Sequence, residues 1–467
     1  MVMKLKTLYA GDHLVQSIIG TKQVKPETVY RWSVFTVPHT FDNQTYLYQN
    51  FTKKLIKPEA DAINYRQDAR YTAQDINENA ALQQLVADYF LVPEDTDETK
   101  VYENYCKVAR ALTKKDGYVG FTILPTTSCN ARCVYCYEEG IEFVTMNRET
   151  VQQTVSFIKQ VAKPGETLSF SWFGGEPLIG EKYIDVICDA MREADIPFKS
   201  RITTNGSLIT SDTVRKMKER WNLRHIQITL DGVEEEYNRR KNYYFNYDSA
   251  YWHILSRIKM VNENGIHLTI RVNVDMGNID GVPQMIEDLK NFIVNPKIVH
   301  FDLAPLFDLQ ASESGIEIWN RSFEVAQWII EHGFTVAHHH PTRKTKIHFC
   351  MADNPYRALV IAPDGKLYNC ENIRSFDTIG DVWNGITNTA YLEGLQAVEP
   401  AREMCKGCFA LPYCTTFSRC GHPRVDCKYA ARKRLERALD NDIKYYQLHP
   451  QAQPEDMSEE DENDADC

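Results

Sequence analysis

No apolar run in the 467-residue chain approaches the roughly 18 to 20 residues of a membrane span. The opening stretch, MVMKLKTLYAGDHL, is polar and has no secretory core. The expected setting is therefore cytoplasmic, without a membrane partner. Basic charge is scarce as well: the formal net charge is −11, and residues 451–467 carry eight acids with no Lys or Arg. That tail reads as a disordered, solubilising segment. The body it leaves, near −3, has no basic field to attract nucleic acid.

Cysteine, by contrast, is plentiful. Thirteen cysteines in a chain expected to sit in a reducing compartment are metal ligands rather than disulfides, and the length allows two to four domains with their own cores. The densest chemistry is CNARCVYC at 129–136, where Cys129, Cys133 and Cys136 follow the apolar run 118–124 at the spacing C-x3-C-x2-C. Three thiolates on one loop can each hold one iron of a four-iron cluster, and no fourth cysteine follows nearby, so one iron is left open. Zinc is the weaker reading, because structural zinc normally takes four ligands at two paired spacings.

Ahead of this loop, 30–37 and 45–51 are β-branched and aromatic runs around the turn-forming FDNQ, which predicts a hairpin. Residues 78–91 place apolar side chains at helical spacing, with Pro93 as a stop. Together they suggest a small α+β unit over 1–105. From 118 to about 333 the pattern becomes six βα units. Strands are expected at 118–124, 168–172, 199–204, 225–230, 267–274 and 299–303, and helices near 148–161, 182–193, 211–220, 251–263, 283–292 and 316–332. Right-handed repetition of this unit predicts a parallel sheet curled into a partial (β/α)6 TIM-like barrel over 106–335, with its chemistry at the strands' C-terminal ends.

The sequence places chemistry there repeatedly. FGGEPL (173–178), TTNGSL (203–208) and LDG (230–232) follow strands two, three and four. Gly174 and Gly175 allow close backbone approach to a ligand, and Glu176 is an acceptor for a cationic amine. Thr204, Asn205, Ser207 and Asp231 offer bonds to hydroxyls or a carboxylate. Arg271, alternating with apolar residues in TIRVNV, is expected to face the lumen with Asn273 and to meet either a ligand carboxylate or Asp231 or Asp302.

Beyond 340 the rhythm stops and cysteines dominate: Cys350, Cys370, Cys405, Cys408, Cys414, Cys420 and Cys427. CKGC with Cys414 is a compact metal-binding spacing. His338, His339 and His340, being adjacent, read as a linker. Cys106, Cys188 and Cys467 are left over, with Cys188 expected in a helix core.

The cysteine spacing, with Tyr135 and Tyr137 around its last member, and GGEP after the second strand resemble the radical S-adenosylmethionine (SAM) superfamily over about residues 115–430. That resemblance implies that the open iron chelates SAM's amino and carboxylate groups. It implies SAM-binding roles for Tyr135, Gly174, Gly175, Glu176, Thr204, Asn205, Ser207, Asp231 and Arg271, and hydrogen-atom abstraction by a 5′-deoxyadenosyl radical. The C-terminal pattern resembles the SPASM domain, over 340–432, and so implies two auxiliary [4Fe-4S] clusters, three clusters in all. Cys405, Cys408, Cys414 and Cys427 would hold one, and Cys350, Cys370 and Cys420 the other. Five residues separate Cys414 from Cys420 where the family usually has three, and the second set lacks a fourth cysteine, leaving an open iron, His348 or a substrate thiolate.

The N-terminal unit resembles winged-helix-like leader-recognition elements. The expected function is thus a peptide maturase that installs a thioether or carbon–carbon cross-link in a ribosomally made precursor peptide, with a flavodoxin or ferredoxin as electron donor. One alternative is a sulfatase-maturing enzyme, in whose relatives an acid at the place of Glu371 serves as catalytic base. The other is a non-catalytic metal-cluster scaffold that binds peptide.

Overall fold

The structure, a computed structural model, describes residues 5–9, 11–20, 22–58, 65–113, 117–245, 247–306, 313–336, 359–398, 400, 403–413 and 427–448. The acidic tail and His338 to His340 lie outside these residues.

The N-terminal unit contains β1 (Leu5–Tyr9), α1 (His13–Ile19), β2 (Val29–Trp32), β3 (Thr36–Phe41), β4 (Gln44–Gln49) and β5 (Lys54–Pro58). It continues with β6 (Arg70–Thr72), α2 (Ala73–Asn77), α3 (Ala80–Ala87), β7 (Leu91–Pro93) and α4 (Glu98–Thr113). The expected hairpin is half right. β3 pairs antiparallel with β4, and Asp42 and Asn43 make the turn with φ of 48° and 57°, the left-handed region that two-residue hairpins use. The run 30–37, however, is two strands in two sheets: β2 belongs to β6-β2-β7, and β3 to β1-β5-β4-β3. Glu98 causes the break. Its buried carboxylate accepts from Ser33 Oγ and from Val34 N at 3.0 Å and pairs with Arg31 at 2.7 Å, drawing residues 33–35 out of the ladder. Helix α4 also runs through the boundary expected near 105.

Phe51 is the hub of this unit. Its ring meets Phe35, Tyr89, Tyr102 and Tyr105 edge-on at centroid distances of 5.2 to 5.7 Å. Cys106, Cys405 and Cys408 are buried in the same apolar cluster, so two of the expected C-terminal metal ligands share a core with the N-terminal unit. Asn50 Nδ2 donates to Phe409 O at 2.7 Å, and Gly407 N to Thr99 Oγ1 at 3.1 Å. Phe51→Ala should therefore destabilise the protein by about 3 to 5 kcal/mol, the range for emptying a buried aromatic site. Denaturant unfolding measures this loss, and a cost below about 1 kcal/mol would mean the ring is not a keystone.

The central sheet is built from β8 (Gly120–Thr126), β9 (Leu168–Gly174), β10 (Phe198–Thr204), β11 (Leu223–Thr229), β12 (His267–Val274) and β13 (Val299–Pro305). Adjacent members pair in parallel, in chain order. Each strand lies within two residues of its expected position. Helices α5 (Arg148–Val161), α6 (Glu181–Glu193), α7 (Ser211–Glu219), α9 (Ala250–Glu263), α10 (Val282–Lys290) and α11 (Glu313–Glu331) follow them, bringing apolar faces such as Ile184, Ile187, Cys188 and Met191 of α6 into the core. Two elements were not expected: the short strand β14 (Thr335–Val336), which extends the sheet past β13, and α8 (Glu234–Lys241), whose sequence EEEYNRRK has almost no apolar signal.

On the opposite edge β15 (Leu359–Ile361) pairs in parallel with β8, then turns antiparallel through β16 (Lys366–Tyr368), β17 (Gly380–Asp381) and β18 (Gly385–Ile386). The sheet thus carries the C-terminal hairpin beside the strand that launches the cysteine loop. Helix α12 (Thr389–Gln396) follows, and α13 (Cys427–Leu448) packs Leu435, Leu439 and Ile443 on β3 and β4 of the N-terminal unit.

Candidate active site

β8 is buried along its whole length and ends at the cysteine loop. Thr126 and Thr127 anchor the loop's return: Thr126 Oγ1 donates to Val144 O at 3.0 Å, and Thr127 Oγ1 to Glu142 O at 2.7 Å. A turn from Cys136 N to Cys133 O, 3.1 Å, closes the second cysteine interval. Arg132 clamps the first. Its Nη1 donates to Cys129 O at 2.9 Å, and its guanidinium lies between the Phe143 and Tyr244 rings at 4.7 and 4.3 Å.

Cys129 and Cys133 are half-buried and Cys136 is exposed. Burial, and then the nearby Glu176 carboxylate, pushes the Cys129 thiol up to about 12, so a metal must displace its proton to bind. Among the described residues no three His, Cys, Asp or Glu side chains converge on one ion. Each iron of a four-iron cluster takes one thiolate, so three sulfurs spread over one loop suit that group.

The two glycines at the end of β9, Gly174 within it and Gly175 just past it, serve the loop. A Cβ on Gly174 would stand 2.3 Å from Thr126 O, and one on Gly175 2.4 Å from Thr127 O and 2.6 Å from Ser128 O. Gly174 also has φ of 115°. Their close approach is to the backbone leading into Cys129. Glu176, fully buried, accepts from Leu178 N at 3.1 Å, Thr204 Oγ1 at 2.7 Å and Asn205 N at 2.8 Å. Burial pushes its carboxyl up, while these bonds favour its charged form.

Asn205 and Ser207 continue the network. Asn205 Nδ2 donates to Asn130 Oδ1, and Asn130 Nδ2 to Ser207 Oγ, both at 2.8 Å. Asn130, beside the first cysteine, was not singled out in the sequence. Asp231 is fully buried. Its carboxylate accepts from Asn273 N at 2.8 Å and from the Tyr135 hydroxyl, and pairs with Lys241 at 3.1 Å. Lys241 was also missed, because it closes the charged helix α8. Arg271 takes one of its two expected structural partners: Nη1 pairs with Asp302 at 2.5 Å.

A second group of acids meets the loop from the C-terminal hairpin. Glu138, two residues after Cys136, is pushed up to about 7 by burial and then by Glu371. Arg374 donates to Glu139 O. Glu371 and the buried Cys370 are thereby brought beside the cysteine loop. Cys405 and Cys408 are buried, whereas Cys350, Cys414, Cys420 and His348 lie outside the described residues, as does the side chain of Cys427.

A parallel βα sheet that ends in a braced three-cysteine loop defines an α/β enzyme fold equipped for an iron–sulfur cluster. Residues 123–248 match the model of the radical SAM superfamily, and the chain carries a radical SAM domain. Fe-coproporphyrin III synthase of Methanosarcina barkeri is 25% identical over 179 residues, 38% of this chain and 42% of that protein. GTP 3′,8-cyclase of Clostridium perfringens is 31% identical over 113 residues, 24% and 34% of the two chains. The chain therefore spans less than half the length of these relatives. The radical SAM cyclopropyl synthase TigE of Paramaledivibacter caminithermalis is 21% identical over 346 residues, 66% of this chain and 71% of that one. Among solved structures, anSMEcpe with bound AdoMet shares the fold with a TM-score of 0.54 at 15% identity, over 70% of this chain and all of the other. Among the described residues no helix is long and apolar enough to cross a membrane.

Proposed function

We propose that this chain is a radical SAM peptide maturase, which removes a hydrogen atom from a ribosomally made precursor peptide and closes a thioether or carbon–carbon cross-link. The observation that carries the reading is the cysteine loop itself, seated at the C-terminal end of β8 and braced by the buried Glu176 and Asn130 and the half-buried Asn205. When bound there, the cluster and SAM supply the hydrogen-abstracting radical. Cys129, Cys133 and Cys136 would hold the cluster, and the strand-end residues would keep the loop from shifting as SAM enters.

A peptide as substrate is supported by the fold-sharing anSMEcpe, one of whose structures, with a TM-score of 0.54, holds AdoMet and the Kp18Cys peptide. The extended match to a cyclopropyl synthase favours carbon–carbon bond formation. The N-terminal unit would take the leader, and the C-terminal cysteines two auxiliary clusters. Formylglycine formation remains the second reading, because Glu371 stands beside the cysteine loop, where a base for either reaction is needed.

The test is anaerobic reconstitution followed by incubation with SAM, a reductant and the short peptides encoded beside the gene. The proposal predicts 5′-deoxyadenosine together with a peptide whose mass falls by the hydrogens lost in one cross-link. Formylglycine in the product would favour the second reading, and no SAM cleavage would refute both. Glu371→Gln should leave SAM cleavage nearly intact and slow peptide product by about a hundredfold, the usual loss for a general base. Unchanged product formation in that variant would place the base elsewhere.

A further inference from the structure

The C-terminal end of α8 docks on the cysteine loop through its unpaired carbonyls. Arg132 N donates to Lys241 O at 3.0 Å and to Asn242 O at 3.1 Å, and Val134 N donates to Arg240 O at 3.1 Å. Asn242 then ends the helix in the left-handed conformation, with φ of 44°. This arrangement satisfies the helix end but sets a problem. A helix C-terminus carries the equivalent of about half a negative charge, and here it faces a loop whose thiolates are to bind an anionic cluster.

Lys241 is placed to answer it. Its side chain is 4% exposed and turns back toward the loop, with Nζ 2.9 Å from the hydroxyl of Tyr135, which directly precedes Cys136, and 3.1 Å from Asp231 Oδ2. The ammonium lies 5.5 Å from the centre of the Tyr135 ring and 5.9 Å from that of the fully buried Tyr237. Asp231 is in turn fixed to β12 through Asn273 N. A buried cation, a buried anion and the loop's own tyrosine thus form one closed group behind the cysteines. Cys133 and Cys136 both feel the Lys241 charge. Because the Lys241 and Asp231 side chains are both buried, their charges are weakly screened.

We propose that Lys241 is a positioning residue that sets the reduction potential of the catalytic cluster, with Asp231 as its counterweight. The inference rests on the radical SAM reading of the loop. Lys241 favours the more negative, reduced state, and Asp231 limits that effect. Removing the cation should make reduction harder. Removing the anion should make it easier.

The experiment is an EPR-monitored redox titration of the full-length reconstituted protein, read on the signal that changes when SAM is added. Lys241→Met should lower the midpoint potential so that the oxidised-to-reduced ratio at a fixed potential rises about tenfold, 59 mV for a one-electron couple. Asp231→Asn should move it the opposite way, and the double variant should return near the wild-type value, as coupled charges do. A merely structural role would not produce shifts of opposite sign. Should a single variant fail to fold, as judged by circular dichroism, the double variant still decides. Its neutral pair keeps the shapes of both residues, and a potential far from wild type in that protein overturns the proposal. Unmoved potentials in well-folded single variants would overturn it too. A wild-type protein without any SAM-responsive signal would instead bring down the cluster reading on which it stands.

Discussion

Gly175→Ala should cost the protein its catalytic cluster while the central sheet stays folded. The added methyl would sit 2.4 Å from Thr127 O and 2.6 Å from Ser128 O, distances no Cβ can hold against backbone. Both carbonyls lead directly into Cys129, and Glu176 N is tied to Ser128 O at 2.9 Å, so the strain has to be relieved by displacing the loop. Overpacking of this kind costs about 1 to 3 kcal/mol, too little to unfold a sheet with so continuous an apolar core. The expected result is normal far-ultraviolet circular dichroism with iron and sulfide reduced by one cluster. Full loading in this variant would show that the glycines do not set the loop's position.

The second large effect follows from the ligands. Replacing Cys129, Cys133 and Cys136 together with Ala should bring 5′-deoxyadenosine release to background and remove about four irons per chain. Irons that the proposed reading assigns to Cys405 and Cys408 should stay, because these two cysteines lie in the apolar cluster of Phe51 and Tyr102, which is separate from the core of the central sheet. Small apolar replacements on a half-exposed loop leave the fold little to lose. Residual SAM cleavage above background would move the catalytic cluster elsewhere in the chain.

The parallel sheet was legible because its period is strong. Strands such as TIRVNV alternate cleanly, and each is followed by a helix with one apolar face, so only the strand ends drifted, by a residue or two. Helix α8 was invisible for the opposite reason: its eight residues carry charge rather than a stripe, and it is held by Tyr237 in the core and by carbonyls capped from a loop a hundred residues earlier. Lys241 was missed with it. The split of 30–37 was hidden likewise, since nothing in YRWSVFTV announces that Glu98, more than sixty residues away, will bond Ser33 and Val34.

At the site, residue type was easier to read than partner. Gly174 and Gly175 were expected to admit a ligand, yet the close neighbours in the structure are the carbonyls of 126–128. Thr204, Asn205, Ser207 and Asp231 were expected to meet SAM, and the bonds seen here run among themselves, Glu176, Asn130, Tyr135 and Lys241. Short polar side chains after parallel strands mark a site because burial there demands partners. Which partners they find depends on the loop folded over them. Arg271 pairs with Asp302, one of the two carboxylates expected for it.

The central claim is that the braced loop holds a cluster with one iron open to SAM. Its most direct test is the EPR spectrum of the anaerobically reconstituted, reduced protein before and after SAM is added, in wild type and in the Cys129, Cys133, Cys136 triple variant. The account predicts a SAM-dependent change of the signal in the wild type and none in the variant. A wild-type spectrum indifferent to SAM, or a SAM response that survives loss of all three cysteines, would contradict it.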